Sequence, residues 1–514
     1  MVGNHAFMAW TEIRNLLNRS WIRWLALIVL LTAFTRVEPL PTAVLDLDLW
    51  WHLRAGDAIA AQHRFPTHAV FTQHSERPWI EYSWGFEVIV SRLYHWFGLL
   101  GLVGLRNALE VIIAAVLFAF LQRMLSSFWQ AWGLTAVGMW TIHHCLNTRP
   151  MLFSIVFFAL EIGLIFEARR QNRVRPLWFL PPLFVLWTNV HIQFLYGIVA
   201  LCLLLGLSAV QAVARAKKLN WFEGVAQLPC DRVLAVTGLS ILATVVGPYS
   251  WRLYSVLFEY AHSSVPYELI HELQALSFRA PSHFALILLI GAAFFVLGWR
   301  RSLDAYKIML LGMCTIIALR MSRDSWVACI AALAIIADRH RVSADSKATS
   351  CRRPLAFAAA TVLGTCGMLI SVAWDQRINN DLLNRIVALN FPASACGFIR
   401  SHSLPGPMYN DANWGGYLIW EMPDMPVAID NRTDLYGDDL VYRFHLVQHG
   451  LADWKNDPDL NAARVVLLYR YLQLANELDH DQRFRQVYQD NFSVVFVRTD
   501  VPLRASNELA PPVP

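Results

Sequence analysis

The residues of this chain best suited to proton chemistry are two carboxylates, a tryptophan pair and a histidine: Asp46, Asp48, Trp50, Trp51 and His52, within DLDLWWHLRAG from Asp46 to Gly56. They directly follow the first long apolar run, over residues 23–40. Tryptophan prefers the headgroup level of a bilayer, and ionisable groups beside a span are costly unless they face a cavity or a partner. A carboxylate at the dry edge of a cavity has its pKa raised by desolvation, which moves it toward useful base strength. A solvated loop with an aromatic anchor would show the same residues, so the rest of the chain must decide. Residues i and i+2 share a face in an extended segment and point well apart in a helix. Whether both acids reach one cavity is therefore a question of conformation.

The elements that must hold these groups are membrane spans. Of 514 residues 56% are hydrophobic, 13% aromatic and only 16% charged, and the mean hydropathy is +0.39. That composition excludes an ordinary soluble domain. The formal charge of +5 is small for the length and points to no nucleic-acid partner. The eight cysteines show no paired metal spacing and no disulfide framework. Arg14, Arg19 and Arg23 precede the first run with no cleavage pattern, which reads as an uncleaved first span. Further apolar runs fall at 105–122, 128–145, 151–167, 176–189, 192–213, 232–249, 283–299, 306–320, 325–338 and 355–374.

Basic clusters orient them. Arg169, Arg170, Arg173 and Arg175 follow the fourth run, Arg215, Lys217 and Lys218 the sixth, Arg300 and Arg301 the eighth, and Arg339 and Arg341 the tenth. With a cytoplasmic N-terminus every cluster lies inside, as the positive-inside rule requires. Counting Ser83 to Gly101 as a span would reverse all of these, so this segment is expected to lie along the outer interface, with Glu87, Arg92 and His95 interrupting its apolar surface. The expected fold is a polytopic α-helical membrane protein of about eleven spans, over 1–374. Interfacial helices lie in its first outward loop, and a small C-terminal α/β extracytoplasmic domain follows over 375–514.

Polar groups then collect on the outer side. The first outward loop carries His63, His68, His74, Trp79, Glu81 and Trp84; a second, Pro248 to Phe284, is rich in aromatics and histidines and carries Arg252 and Arg279. Shorter outward turns supply Arg149 in NTRP, Asn189 and His191 in WTNVHIQF, and Arg320, Arg323 and Asp324 in LRMSRDSW. Arginine binds phosphate bidentately, which makes Arg149, Arg320 and Arg323 candidates, although arginines at a membrane edge also snorkel to headgroups. In the C-terminal part, PVAID (426–430), RVVLL (464–468) and FSVVFVR (492–498) read as buried strands. GGYLIWEM, DLVYRFHLVQHG and LQLANELDHDQRF read as helices between them, an α/β layer. Asp430, Arg432 and Asp434 follow the first of these strands, where binding groups sit in such layers; an Arg–Asp network stabilising a turn, with Gly437 permitting the bend, is the plainer alternative.

This layout resembles the GT-C superfamily of integral-membrane glycosyltransferases. The segments DLWWHLRAGDAI, RPWIEYSWGFEVI, NTRPMLFS, LWTNVHIQF, NWGGYLIW and AIDNRTDLYGDDL are similar to a bacterial group of GT-C-like membrane proteins without assigned reactions. The resemblance implies transfer of a sugar from a polyprenyl phosphate carrier to a glycan, lipid or protein acceptor at the outer face of the bacterial inner membrane. It implies that Asp48 or Asp46 matches the loop carboxylate, as general base or, in some members, as ligand of a divalent metal ion, with His52 beside it. Glu81, Arg149, Asn189, His191, Arg320, Arg323, Asp430 and Arg432 are the candidate substrate-binding residues. Two rivals share the layout: a transporter of lipid-linked glycans, and a non-catalytic envelope assembly protein, since fold does not establish activity.

Overall fold

The computed structural model describes residues 19–36, 40–219, 225–302, 304–338 and 354–502. Arg14, the basic pair Arg339 and Arg341, and the tail Glu508–Pro514 lie outside the described residues. Every expected apolar run contains a helix, including Ser20–Ala33, Leu99–Met124, Phe128–Ile142, Met151–Gln171 and Phe194–Ala216. Four helices are long and apolar enough to cross a membrane: Leu99–Met124, Met151–Gln171, Phe194–Ala216 and Pro281–Trp299. A fifth would be the bent pair Asn380–Asn390 and Ala393–Ser401, were it one span. The other apolar helices are shorter, down to 9 residues at Leu180–Thr188, where Pro181 and Pro182 open the first turn.

Local chemistry explains the breaks. Gly98, at φ 65°, ends the Trp84–Phe97 helix and lets the chain turn directly into Leu99–Met124. Pro150 precedes Met151–Gln171, and Asn172 closes it in the left-handed conformation at φ 50°. The ends of the bundle are distinct. Arg169 pairs with Asp304, Arg300 bonds the Asp338 carbonyl, Gln211 bonds the Ala226 carbonyl and the Gln227 N–H donates to Asn172, so the basic clusters around Arg169, Arg215 and Arg300 share one end.

The C-terminal part carries a four-stranded sheet: β1 (Met408–Asn410), β2 (Val465–Tyr469), β3 (Phe484–Gln489) and β4 (Ser493–Arg498), in the order β1-β2-β4-β3. β1 and β2 are parallel, and β4 is antiparallel to both neighbours. The second and third expected strands and the first two expected helices are present; the third is helical only over Gln473–Asp479, and Phe484, at its expected end, opens β3 instead. The first expected strand is not. PVAID makes a single bridge, Val427 to Thr72, because the edge it meets is a short piece of the first loop rather than a neighbouring strand.

Buried apolar residues form two clusters, and these do not divide at residue 375. One joins the long helices. The other draws Ala43 to Val103 into the same core as Leu383 to Val497, with Trp50 packed edge-on to Phe391 and Tyr417. Glycines make this docking possible. A Cβ on Gly415 would strike the Ile429 carbonyl and Asp430, and one on Gly416 would press on the Trp51 ring at 3.2 Å. The NWGGYLIW motif is thus a helix, Ala412–Glu421, seated on the first loop. The Trp84–Phe97 helix packs by the same device: Gly56 leaves no room for a side chain against the Glu87 backbone. Arg92 and His95 are exposed on it as expected, but Glu87 is fully buried, turned toward His52.

Candidate functional site

The helix Leu49–Gln62 starts immediately after Asp48, so the acidic pair sits at its mouth in a tight turn: the Asp46 Oδ1 accepts the Asp48 N–H at 2.9 Å. Both acids reach the same partner, Arg149, which the NTRP turn presents just before Met151–Gln171. That turn is pinned by Thr148, whose hydroxyl donates to the Ala43 carbonyl. Arg149 Nε donates to Asp46 Oδ2 at 2.6 Å, Nη2 lies 3.3 Å from Asp48 Oδ2, and Nη1 binds Glu272. Asp46 is spent on these contacts and its side chain is only 5% exposed. Asp48 keeps 22% of its side chain exposed, with one longer bond from Trp51 Nε1 at 3.3 Å.

Around Asp48 lies a cavity of about 480 Å³, within the range of small-ligand sites. It is lined from three directions. The first loop gives Asp48, Trp51, His52 and Tyr82; the ends of the long helices give Arg149, His191 and Arg323; the C-terminal part gives Asn413, Asn431, Arg432 and Asp434. The second outward segment closes it with Tyr260, His271 and Glu272.

Arg432 is held rigidly. Asp430, buried behind it, accepts from its Nε at 2.9 Å and its Nη2 at 2.7 Å and takes the Tyr436 hydroxyl at 2.7 Å. The guanidinium carbon lies 4.6 Å from the Trp79 ring centre, a cation–π contact, and Nη1 has no partner. Asp430 is therefore a positioning residue for Arg432, and Gly437, at φ 70°, makes the bend that follows. Arg323 leans on Glu272 at 3.4 Å, and its Nε has no hydrogen bond. Asp434 opens the Thr433–Gln448 helix and faces the cavity with no side-chain partner among the described residues.

Electrostatics follow from this packing. Burial pushes the Asp48 carboxyl up to about 6, against the opposing pull of Arg149. Burial also lifts Asp434 to about 7. Glu272, though burial works against its charge, is held below the usual carboxylate range by Arg149 and Arg323. Burial, with Arg149 beside it, keeps the His52 ring neutral, and burial lowers His191 to about 3.

Six of the expected site residues thus line one cavity: Asp48, His52, Arg149, His191, Arg323 and Arg432. Asp46, Glu81 and Asp430 stand behind its wall. Asn189 and Arg320 do not take part. Asn189 uses its side chain to tie Trp84 Nε1 to the Val185 and Val246 carbonyls, and Arg320 is exposed over the Tyr267 ring. Glu272, Tyr82 and Tyr260 are members the sequence reading missed. Among the described residues no group of three His, Cys, Asp or Glu side chains is placed to hold a metal ion. The carboxylates a divalent ion would need at the acidic motif are turned onto Arg149 instead, so the motif does not fit a metal.

The chain matches no protein-family model and no curated protein.

Proposed function

We propose that the protein is a membrane glycosyltransferase of GT-C type, moving a sugar from a polyprenyl-phosphate carrier to an acceptor hydroxyl at the outer face of a bacterial inner membrane. The observation that carries this is the cavity itself. A carboxylate whose pKa burial lifts to about 6 stands beside Arg149, Arg323 and Arg432, at one end of a set of apolar helices. Asp48 takes the hydroxyl proton as the acceptor oxygen attacks C1 of the sugar. The C1–O bond to the carrier phosphate breaks with inversion, and the phosphate leaves with the electron pair. The arginines that line the cavity, Arg149, Arg323 and Arg432, balance its charge.

Sidedness is supported by the basic clusters gathered at the end opposite the cavity, which the positive-inside rule makes cytoplasmic. On that orientation the N-terminus is inside, about eleven apolar helices serve as spans, Trp84–Phe97 lies at the outer interface and the sheet domain is extracytoplasmic. Deleting the gene should leave polyprenyl-linked sugar accumulating and one envelope glycan lacking that sugar, read by mass spectrometry. An unchanged carrier pool and envelope would contradict the proposal.

Transport of the same lipid-linked glycan is favoured by Glu161, midway along Met151–Gln171, buried with neither oxygen hydrogen-bonded among the described residues. If transport is the activity, Glu161→Gln abolishes it; in the transferase reading that variant makes product at the wild-type rate.

A further inference from the structure

Three histidines line the cavity, His52, His191 and His271, and the first two have buried partners of opposite kinds. His52 Nδ1 lies 3.0 Å from Glu87 Oε1. His191 Nδ1 lies 2.8 Å from Ser154 Oγ. In each ring Nε2 makes no hydrogen bond among the described residues and is not enclosed, so it is the atom each presents to the cavity.

We infer that the two rings are fixed in opposite tautomers, His52 offering a bare Nε2 as hydrogen-bond acceptor and His191 an Nε2–H as donor, so that the cavity has a hydroxyl-binding end at His52 and a phosphate-binding end at His191.

The His191 side follows from counting donors. Trp187 Nε1, which can only donate, gives its hydrogen to Ser154 Oγ at 2.8 Å. The serine's own hydrogen then goes to the one other partner it has, His191 Nδ1. A neutral ring that accepts at Nδ1 carries its hydrogen on Nε2. Burial disfavours a second proton on this ring, as does the charge of Arg323.

The His52 side follows from the acids behind it. Glu81 and Glu87 are 1% and 0% exposed, and their carboxyls bond to each other. Glu81 Oε1 accepts the Ser83 N–H at 3.1 Å and Glu87 Oε1 faces His52, while Oε2 of each is buried with no hydrogen-bond donor among the described residues. One proton held between the two carboxyls supplies the donor that this pair lacks. Spent instead on His52, that proton would leave two buried acceptors unpaired. Arg432 and Asp434 are the charged groups facing the acid pair. They pull in opposite directions on Glu81, and neither supplies a hydrogen to it. The histidine therefore donates from Nδ1, and Nε2 is bare. Trp51, with ring centres 3.6 Å apart, and Phe86 at 5.2 Å hold the imidazole plane. Glu87 is a positioning residue in this arrangement, neutral and acting through His52.

Assigning hydroxyl and phosphate to the two ends rests on the transferase reading. The tautomers do not, and they can be read without any substrate. Diethyl pyrocarbonate acylates a bare ring nitrogen, so full-length protein in lipid nanodiscs, treated between about pH 6 and 8 and mapped by peptide mass spectrometry, reports each ring separately. The expected result is acylation of His52 and at least about ten-fold slower acylation of His191. Ser154→Ala should raise the His191 rate by about ten-fold, because Nδ1 loses its donor and the ring can expose a lone pair. Glu87→Gln, an amide in place of a neutral acid, should keep the His52 rate within about two-fold. Equal rates for the two rings in the wild type, or an unreactive His52, would overturn the inference. So would loss of His52 reactivity in a folded Glu87→Gln protein, since that variant copies the proposed protonation state. If the reactivities come out as expected while no sugar transfer is found, the tautomers stand and only the transferase reading fails.

Discussion

The helix Met151–Gln171 has an ionic cluster at each end, and the two are built for different ends. At 1.5 Å per residue they stand about 30 Å apart, the thickness of a bilayer core. At the Arg169 end, Arg169 holds both oxygens of Asp304 at 2.6 Å, and Lys307 bridges Asp304 and Asp338 at 3.3 and 2.6 Å. Two cations meet two carboxylates, all buried, with the Tyr306 ring closing over Arg169 at 4.6 Å. At the Arg149 end the charges do not close on themselves. Carboxylates crowd one arginine, Asp434 has no side-chain partner among the described residues, and a cavity lies between these groups. A balanced, enclosed network can fix the register of Met151–Gln171, Ala305–Arg320 and Ser325–Ala337. An unbalanced network around open space stores binding capacity. Buried charge alone is therefore no sign of a site; the mismatch and the space are.

The sharpest way to break this contrast is to substitute one residue at each end. Asp48→Asn should lower product formation about 10²- to 10⁴-fold, the usual cost of a general base, with melting behaviour in detergent unchanged. Arg169→Met should do the reverse. It strands Asp304 with half its pairing, and such losses cost about 3–5 kcal/mol of stability, while activity per folded molecule stays near wild type. If the two variants fail in the same way, the ends are not functionally distinct.

The contrast also shows which parts of the site were legible in the sequence. Asp48, His52, Arg149, His191 and Arg323 were visible because each interrupts or ends an apolar run, where a charge needs a reason to be there. The long helices were visible for the same cause. Glu272 was not, because it sits in a segment already rich in polar and aromatic residues, where one acid is ordinary. Glu87 looked like a polar interruption of an interfacial helix, since nothing local shows that Gly56 brings a neighbouring helix close enough to bury it. Asn189 and Arg320 carried the same edge-of-span signal as the true lining residues, and only packing separates them. PVAID has the composition of a strand but lacks a strand to pair with, and β1 and β3 were missed because short or half-exposed strands leave little alternation to read.

Two pH effects sharpen the contrast further. With Asp48 as the proposed base, the rate should rise about ten-fold per pH unit below about 6 and level off above it, measured as initial product formation. Stability should change in the opposite sense. Burial raises Glu81 and Asp434 to about 7 in the folded protein, above their ordinary 4.5 and 3.8. Between those values the folded state holds more protons than the unfolded one, so these groups stabilise fully at acid pH, and their contribution is lost as pH rises to about 7. The melting temperature of Asp434→Asn should therefore vary less with pH across this window than that of the wild type. The smallest effect is expected from Arg320→Met, which removes an exposed cation outside the cavity: stability should change by no more than about 0.5 kcal/mol, with product formation unaltered.

The central claim is that the acidic motif does chemistry at the Arg149 end, and complementation of a deletion strain tests it most directly. Wild type, Asp48→Asn and the double variant Asp46→Asn, Asp48→Asn are expressed to equal levels in the membrane, and envelope glycans and polyprenyl-linked sugars are measured by mass spectrometry. Wild type should restore the missing glycan, whereas both variants should leave it absent and the lipid-linked donor accumulated. Full restoration by the double variant would contradict the account and leave the cavity without a catalytic carboxylate at its motif.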